Sequence, residues 1–228
     1  MAIGVRNLLP TLVFGACPLM AYGPAWAEPS AVRESVAGVA EPKLTTERRS
    51  GRMRPFLPDG FDAPTMVETA GFKVVPLGPS LATVDYDAYM SSIEHLQKNF
   101  SRSTDWPRAD ISHADAARDM ETERTRFRHR QSFAYAVLTP DGSRERGCVY
   151  VSPSSVEGYD AVVRLWVTKD EYAAGFDAEL YEWARDWMRT AWPFLRVAYP
   201  GRSVDWKTWD TMVAAKTRPT IGPGKEKR

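Results

Sequence analysis

The sequence predicts an α/β (α+β) fold, a mixed, mainly antiparallel central sheet flanked by helices. Three observations point to it. Residues 132–201 read in order as strand, tight turn, strand, strand, helix and strand. Residues 161–167 form a nearly continuous apolar run broken only by Arg164, the pattern of a strand buried on both faces at the centre of a sheet. Finally, Phe176, Leu180, Trp183, Ala184, Trp187, Met188 and Ala191 recur at helical spacing and define a wide apolar face.

The elements follow in chain order. Phe72 to Leu77 is a short extended run that Pro76 places at an edge or a strand end. Tyr86, Met90, Ile93, Leu96 and Phe100 repeat at helical spacing, which predicts one helix ending before Ser101, with Thr83 or Asp85 as its cap. Ser112 followed by Asp115 has the form of a capping box and opens a charge-dense helix over 113–128, in which Ala117, Met120 and Phe127 are the expected buried positions. Alternation over 133–138 predicts a strand, Pro140-Asp141-Gly142-Ser143 a turn with Gly142 at positive φ, and 147–151 the second arm of the hairpin. After the amphipathic helix, which Pro193 stops, come a short strand at 196–199 and a brief helix carrying Trp206, Trp209, Met212 and Val213.

Outside this body the chain changes character. Residues 1–27 combine Arg6, an apolar stretch over 8–20 and Ala25-Trp26-Ala27, the pattern of a secretory signal peptide, which predicts a periplasmic or secreted protein. If the leader does not act, the protein is cytoplasmic. Cys17 offers a lipidation site, and cleavage after Ala27 would leave Cys148 as the one cysteine. Residues 28–69 are rich in Pro, Ser, Glu and Arg and read as a disordered linker, 70–214 as the folded domain, and 215–228 as a flexible basic tail.

Composition narrows the function classes. Thirty basic against 29 acidic residues leave a formal charge of +1, without the electrostatic footprint that nucleic-acid binding requires. Nothing after the leader approaches the roughly 20 apolar residues of a membrane span. Zinc spacings, a P-loop, a G-x-S-x-G elbow and a G-x-G-x-x-G turn are absent, His95, His113 and His129 are scattered, and Cys148 reads as a small buried apolar residue. No metal is expected.

The order edge strand, two helices, hairpin, central strand, amphipathic helix and last strand resembles the GNAT superfamily of acyl-CoA-dependent N-acetyltransferases. The phrases SSIEHL at 91–96, PDGS-x3-GCVYVSP at 140–153 and WPF-x2-VAYPGR at 192–202 resemble a bacterial group of GNAT-like proteins of unclear substrate. The resemblance implies acetyl-CoA as cosubstrate, a primary amine as the small-molecule acceptor, and an acyl-CoA site between the central and last strands. It places a pyrophosphate loop at the strand-to-helix joint, where Trp166, Val167, Tyr172, Ala173, Ala174 and Gly175 would bind the cofactor through main-chain amides and the helix dipole. Tyr172 and Asp177 depart from that loop's pattern, and the Asp177 carboxylate would repel a diphosphate unless it caps the helix and turns away. By the same resemblance Tyr199 is the candidate general acid and Arg164 a cationic group in the cleft; packing for Tyr199, and pairing of Arg164 with Asp160 or Glu182, are the alternatives. Two functions stay open: an N-acyltransferase, or an exported GNAT-like domain that uses no coenzyme and binds a small molecule or a protein. A structural protein of the cell envelope is a third reading.

Overall fold

The computed structural model describes residues 56–217. The expected signal peptide, Cys17 and most of the expected linker and tail lie outside the described residues. The sheet has six strands in sequential order, β1 (Val67–Glu68), β2 (Lys73–Pro76), β3 (Phe133–Leu138), β4 (Glu145–Pro153), β5 (Ala161–Val167) and β6 (Val197–Ala198). Every neighbouring pair is antiparallel except β5 and β6, which are parallel. The fold class read from the sequence is therefore the one observed.

Helices cover both faces. The amphipathic helix α5 (Phe176–Ala191) lies on one, packing Phe176, Leu180, Trp187 and Met188 against Phe133, Tyr135, Val137, Val149 and Val163. On the other lie α1 (Ala82–Met90), α2 (Ile93–Leu96) and α3 (His113–Arg128), packed on Ala134, Ala136, Leu138, Cys148 and Trp166. Because both faces are covered, all six residues of β3 are buried, and its alternation sorts side chains between two cores rather than between core and water. A final helix, α6 (Trp206–Thr217), packs Trp209 against Val156, Val162 and Ala198. Between β5 and α5 sits a one-turn helix, α4 (Lys169–Ala173).

The structure departs from the sequence reading at four places. The helix expected from Tyr86 to Phe100 is broken at Ser91 and Ser92 and ends in a π-helical segment, Gln97–Ser101. Its serines are diverted: Ser91 Oγ donates to the Ala88 carbonyl, and Ser92 Oγ accepts from the Lys169 amide 77 residues away. Neither Thr83 nor Asp85 caps α1, which is entered from a 3-10 turn, Pro79–Leu81, with Leu81 at the N-cap. In α3 the capping box of Ser112 and Asp115 forms as expected, but Ala116 is buried in place of Ala117. Residues 56–69 belong to the folded body rather than to a linker. Leu57 is buried, Val67 and Glu68 pair with β2, and the Tyr135 hydroxyl and Arg130 guanidinium donate to carbonyls of Pro64, Phe61 and Pro58.

Candidate functional site at the β5–β6 split

β5 is paired with β4 along its whole length, Ala161 opposite Pro153 through Val167 opposite Gly147. Its other edge is used only at Ala161 and Val162, opposite Val197 and Ala198 of β6. Beyond Val162 the two parallel strands part. Pro200, Gly201 and Arg202 turn away, and a cleft of about 170 Å³ opens beside Val163–Val167. Leu96, Asn99 and Phe100 line it on one side, with Tyr172 of α4, Asp177 at the start of α5, and Trp206 of α6.

Arg164 points from β5 toward the α1–α3 face. Its Nη2 donates to the Phe100 carbonyl, and its guanidinium lies 4.3 Å from the Phe100 ring and 5.6 Å from that of Trp206. The two acids expected as alternative partners are engaged elsewhere: Asp160 accepts from the Leu195 and Arg196 amides, and Glu182 holds Arg185. Trp166 lines the same wall, its indole Nε1 donating to the Tyr150 hydroxyl over 3.3 Å.

The strand-to-helix joint is more ordered than an open anion loop. The amides of Tyr172, Ala174 and Gly175 already donate to the carbonyls of Thr168, Asp170 and Tyr172, because residues 169–173 close a helical turn. Thr168 caps that turn through its side chain. Buried Glu171 fastens it: Arg146 and Arg144 reach the two carboxylate oxygens at 2.6–2.9 Å. Burial alone would raise the Glu171 pKa, but the Arg146 and Arg144 hydrogen bonds outweigh it and hold the group below its ordinary value. Gly175, at φ 85°, then reverses the chain into α5, a left-handed conformation that glycine adopts without steric cost.

Asp177, in the first turn of α5, is neutralised by a bidentate pair with Arg202, at 2.7 and 3.0 Å. Its charge is therefore cancelled from the β6 side, not turned away as a cap. His95, read as a packing residue, forms part of the cleft: its ring lies 4.9 Å from that of Tyr172, and Asn99 Nδ2 meets its Nδ1 at 3.0 Å. Burial lowers the His95 pKa, so the ring is neutral near pH 7.

Of the expected site residues the cleft gathers Arg164, Trp166, Val167 and Tyr172. Ala173, Ala174 and Gly175 are exposed on the outer side of the turn, and Tyr199 is not in the cleft wall. Tyr199 packs edge-on to Tyr181 and borders a shallow depression with Glu182, Arg185 and Leu195. Burial pushes its hydroxyl pKa up, so it keeps its proton. Arg202, His95, Phe100 and Trp206 are what the sequence reading missed; the first signal for Arg202 was the unexplained acid at Asp177.

The six-stranded, mainly antiparallel sheet with helices on both faces, whose one parallel pair splays beside a strand-to-helix joint, is the mixed architecture expected from the sequence. No family model and no curated protein matches the chain. Among solved structures it is similar to a ribosomal-protein-S5-alanine acetyltransferase from Vibrio fischeri, at 15% identity over 68% of this chain and 82% of that one, with a TM-score of 0.49. It is also similar to a ribosomal L7/L12 alpha-N-protein acetyltransferase in complex with coenzyme A, at 11% identity over 56% and 70% of the chains, TM-score 0.44. A third likeness is to an acetyltransferase from Thermus thermophilus, at 15% identity over 53% and 71%, TM-score 0.40.

Proposed function

We propose that the chain is an N-acyltransferase that takes acyl-CoA between β5 and β6 and transfers the acyl group to a primary amine. The observation that carries this reading is the cleft that opens along β5 at 163–167, where β6 has parted from it after Val162. An extended chain bearing amides, as the coenzyme's arm does, can pair with a strand bordering such a cleft as an added strand would. The Arg202–Asp177 pair removes the charge that would otherwise repel a diphosphate at the start of α5. In the transfer, the neutral amine nitrogen attacks the thioester carbonyl, the C–N bond forms, the C–S bond breaks, and the amine's proton is lost as the thiolate leaves. Arg164 is a fixed cation in the cleft wall and would stabilise the oxyanion formed on that carbonyl. Tyr199 is given no step.

A second reading is favoured by one specific feature: the helical turn of α4 uses amides that a phosphate loop would offer. In that reading the cleft binds a small molecule or a protein without coenzyme. Export through residues 1–27, also a proposal, agrees with it because acyl-CoA is cytosolic; N-terminal sequencing that finds Glu28 first would support export.

The test is to incubate the full chain with acetyl-CoA and a panel of primary amines while following free thiol. Amine-dependent thiol release that falls at least about tenfold in Arg202→Ala, the loss of about 1.4 kcal/mol of binding, supports the transferase. No release, together with no acetyl-CoA binding by calorimetry at millimolar concentration, rejects it in favour of the second reading.

A further inference from the structure

Beneath α1, away from the cleft, the core contains a cluster that the transferase reading does not use. Asp85, Glu145 and Cys148 are all buried, and one donor atom from each lies within 4.8 Å of the others. Asp85 comes from the first turn of α1 and the other two from β4. Strict alternation would put Glu145 on the opposite face from Cys148. The register shift between Val137 and Leu138 changes this: Gly147 faces Val137 but Glu145 faces Leu138, so Arg146 is the extra residue. The bulge aims Glu145 into the core that holds Cys148, and Arg146 toward Glu171.

Two buried carboxyl groups and a thiol in one pocket require compensation. Among the described residues no lysine, arginine or histidine forms an ion pair with Asp85 or Glu145. Glu145 Oε2 and the Tyr89 hydroxyl, one helical turn from Asp85, are buried without a hydrogen-bond partner. Asp119 and Glu123 of α3 add negative field from the neighbouring helix. The surroundings are thus short of positive charge and rich in oxygen and sulfur donors.

We propose that Asp85, Glu145 and Cys148 bind one divalent cation of the zinc type. Zinc-to-oxygen and zinc-to-sulfur bonds of about 2.0–2.3 Å set tetrahedral donors about 3.3–3.8 Å apart. Cys148 Sγ lies 3.7 Å from Asp85 Oδ1 and 2.9 Å from Glu145 Oε1, so coordination needs shifts of under about an ångström in the carboxylates. The fourth position falls to water or to the Tyr89 hydroxyl. Tyr150, two residues along β4 from Cys148, packs on the same core, and its hydroxyl accepts from the Trp166 indole. On binding, Cys148 and whichever carboxyl groups carry protons release them, and metal–ligand bonds replace the shared hydrogen bonds. The cation would tie α1 to β4 and, through Tyr150, steady Trp166 in the cleft wall.

The experiment uses the full chain, stripped with chelator under reducing conditions and titrated with Zn²⁺ and, separately, with Co²⁺. The site predicts one equivalent of zinc per chain by elemental analysis, a rise in Tm with added zinc, and a thiolate-to-cobalt charge-transfer band in the near ultraviolet. Glu145→Gln, nearly isosteric, should weaken Co²⁺ binding at least about tenfold, and Cys148→Ser should abolish the band. Absence of stoichiometric metal and of the band in the wild-type chain overturns the proposal without any variant. A band that survives in Cys148→Ser also overturns it, since Cys17 is then the ligand.

Discussion

The two faces of the sheet are built by different means. On the α5 face, Phe72, Phe133, Tyr135, Phe176, Trp183, Trp187 and Trp192 form a continuous aromatic layer with ring centroids 5.0–6.3 Å apart, and the helix above it is unbroken. On the α1–α3 face α1 and α2 are short and broken from each other at Ser91 and Ser92, Ser92 bonds across to α4, and Asp85, Glu145 and Ser92 are buried among the apolar side chains. Non-directional burial and aromatic packing stabilise the first face. The second gives up some of that stabilisation to hold polar groups in fixed places, which suits the face from which Arg164, Trp166 and Phe100 enter the cleft.

Mutations that separate these two modes should differ in size. Trp187→Ala removes a ring packed against Trp183, Tyr135 and Trp192 and should cost about 3–5 kcal/mol in urea unfolding. A loss under about 1 kcal/mol would mean that the aromatic layer does not stabilise that face.

Glu171→Gln, at the seam between the faces, leaves Arg146 without its carboxylate and should cost about 1.5–3 kcal/mol at pH 7. Its sign with pH is fixed. The folded-state pKa lies below the ordinary value of 4.5, so the contribution is fully present above that value and is lost as pH falls through the folded pKa. The stability difference between wild type and Glu171→Gln should therefore shrink in acid; a constant difference from pH 7 to pH 3 would show that the ionised pair is not its source.

On the opposite face, Ser92→Ala removes the acceptor of the Lys169 amide and should cost about 0.5–1.5 kcal/mol, with added hydrogen exchange at 168–173. Unchanged exchange there would separate Ser92 from the ordering of α4.

Asp119→Asn tests the acidic field of α3. Burial, with Asp115 and Glu123 beside it, raises Asp119 to about 6, so the folded state holds this proton more tightly than the unfolded state. Stability from this group falls as pH rises from about 4 to about 6, and the variant should lack that decline. A wild type and variant with parallel pH profiles would contradict it.

The same contrast governs what was legible in the sequence. The α5 face could be read almost residue by residue, because Phe176 to Ala191 repeats an apolar pattern and β5 is a continuous apolar run, both local signals. The break at Ser91 and Ser92 left no local trace, since it depends on a bond to Lys169. Residues 56–69 look like a linker by composition, yet a few apolar side chains and carbonyls find partners more than 60 residues away. In the cleft, Gly175 and the odd acid Asp177 were visible, whereas Arg202, 25 residues on, becomes its partner only when β6 lies beside β5. Glu145 could not be placed at all, because its direction depends on a bulge.

Hydrogen–deuterium exchange of the full chain with and without saturating acetyl-CoA tests the central claim that the β5–β6 split is an acyl-CoA site. The account predicts slowed exchange at 163–167, the part of β5 that borders the cleft, and at 200–206. No change in either segment, or protection confined to the depression around Glu182, Leu195 and Tyr199, would contradict it.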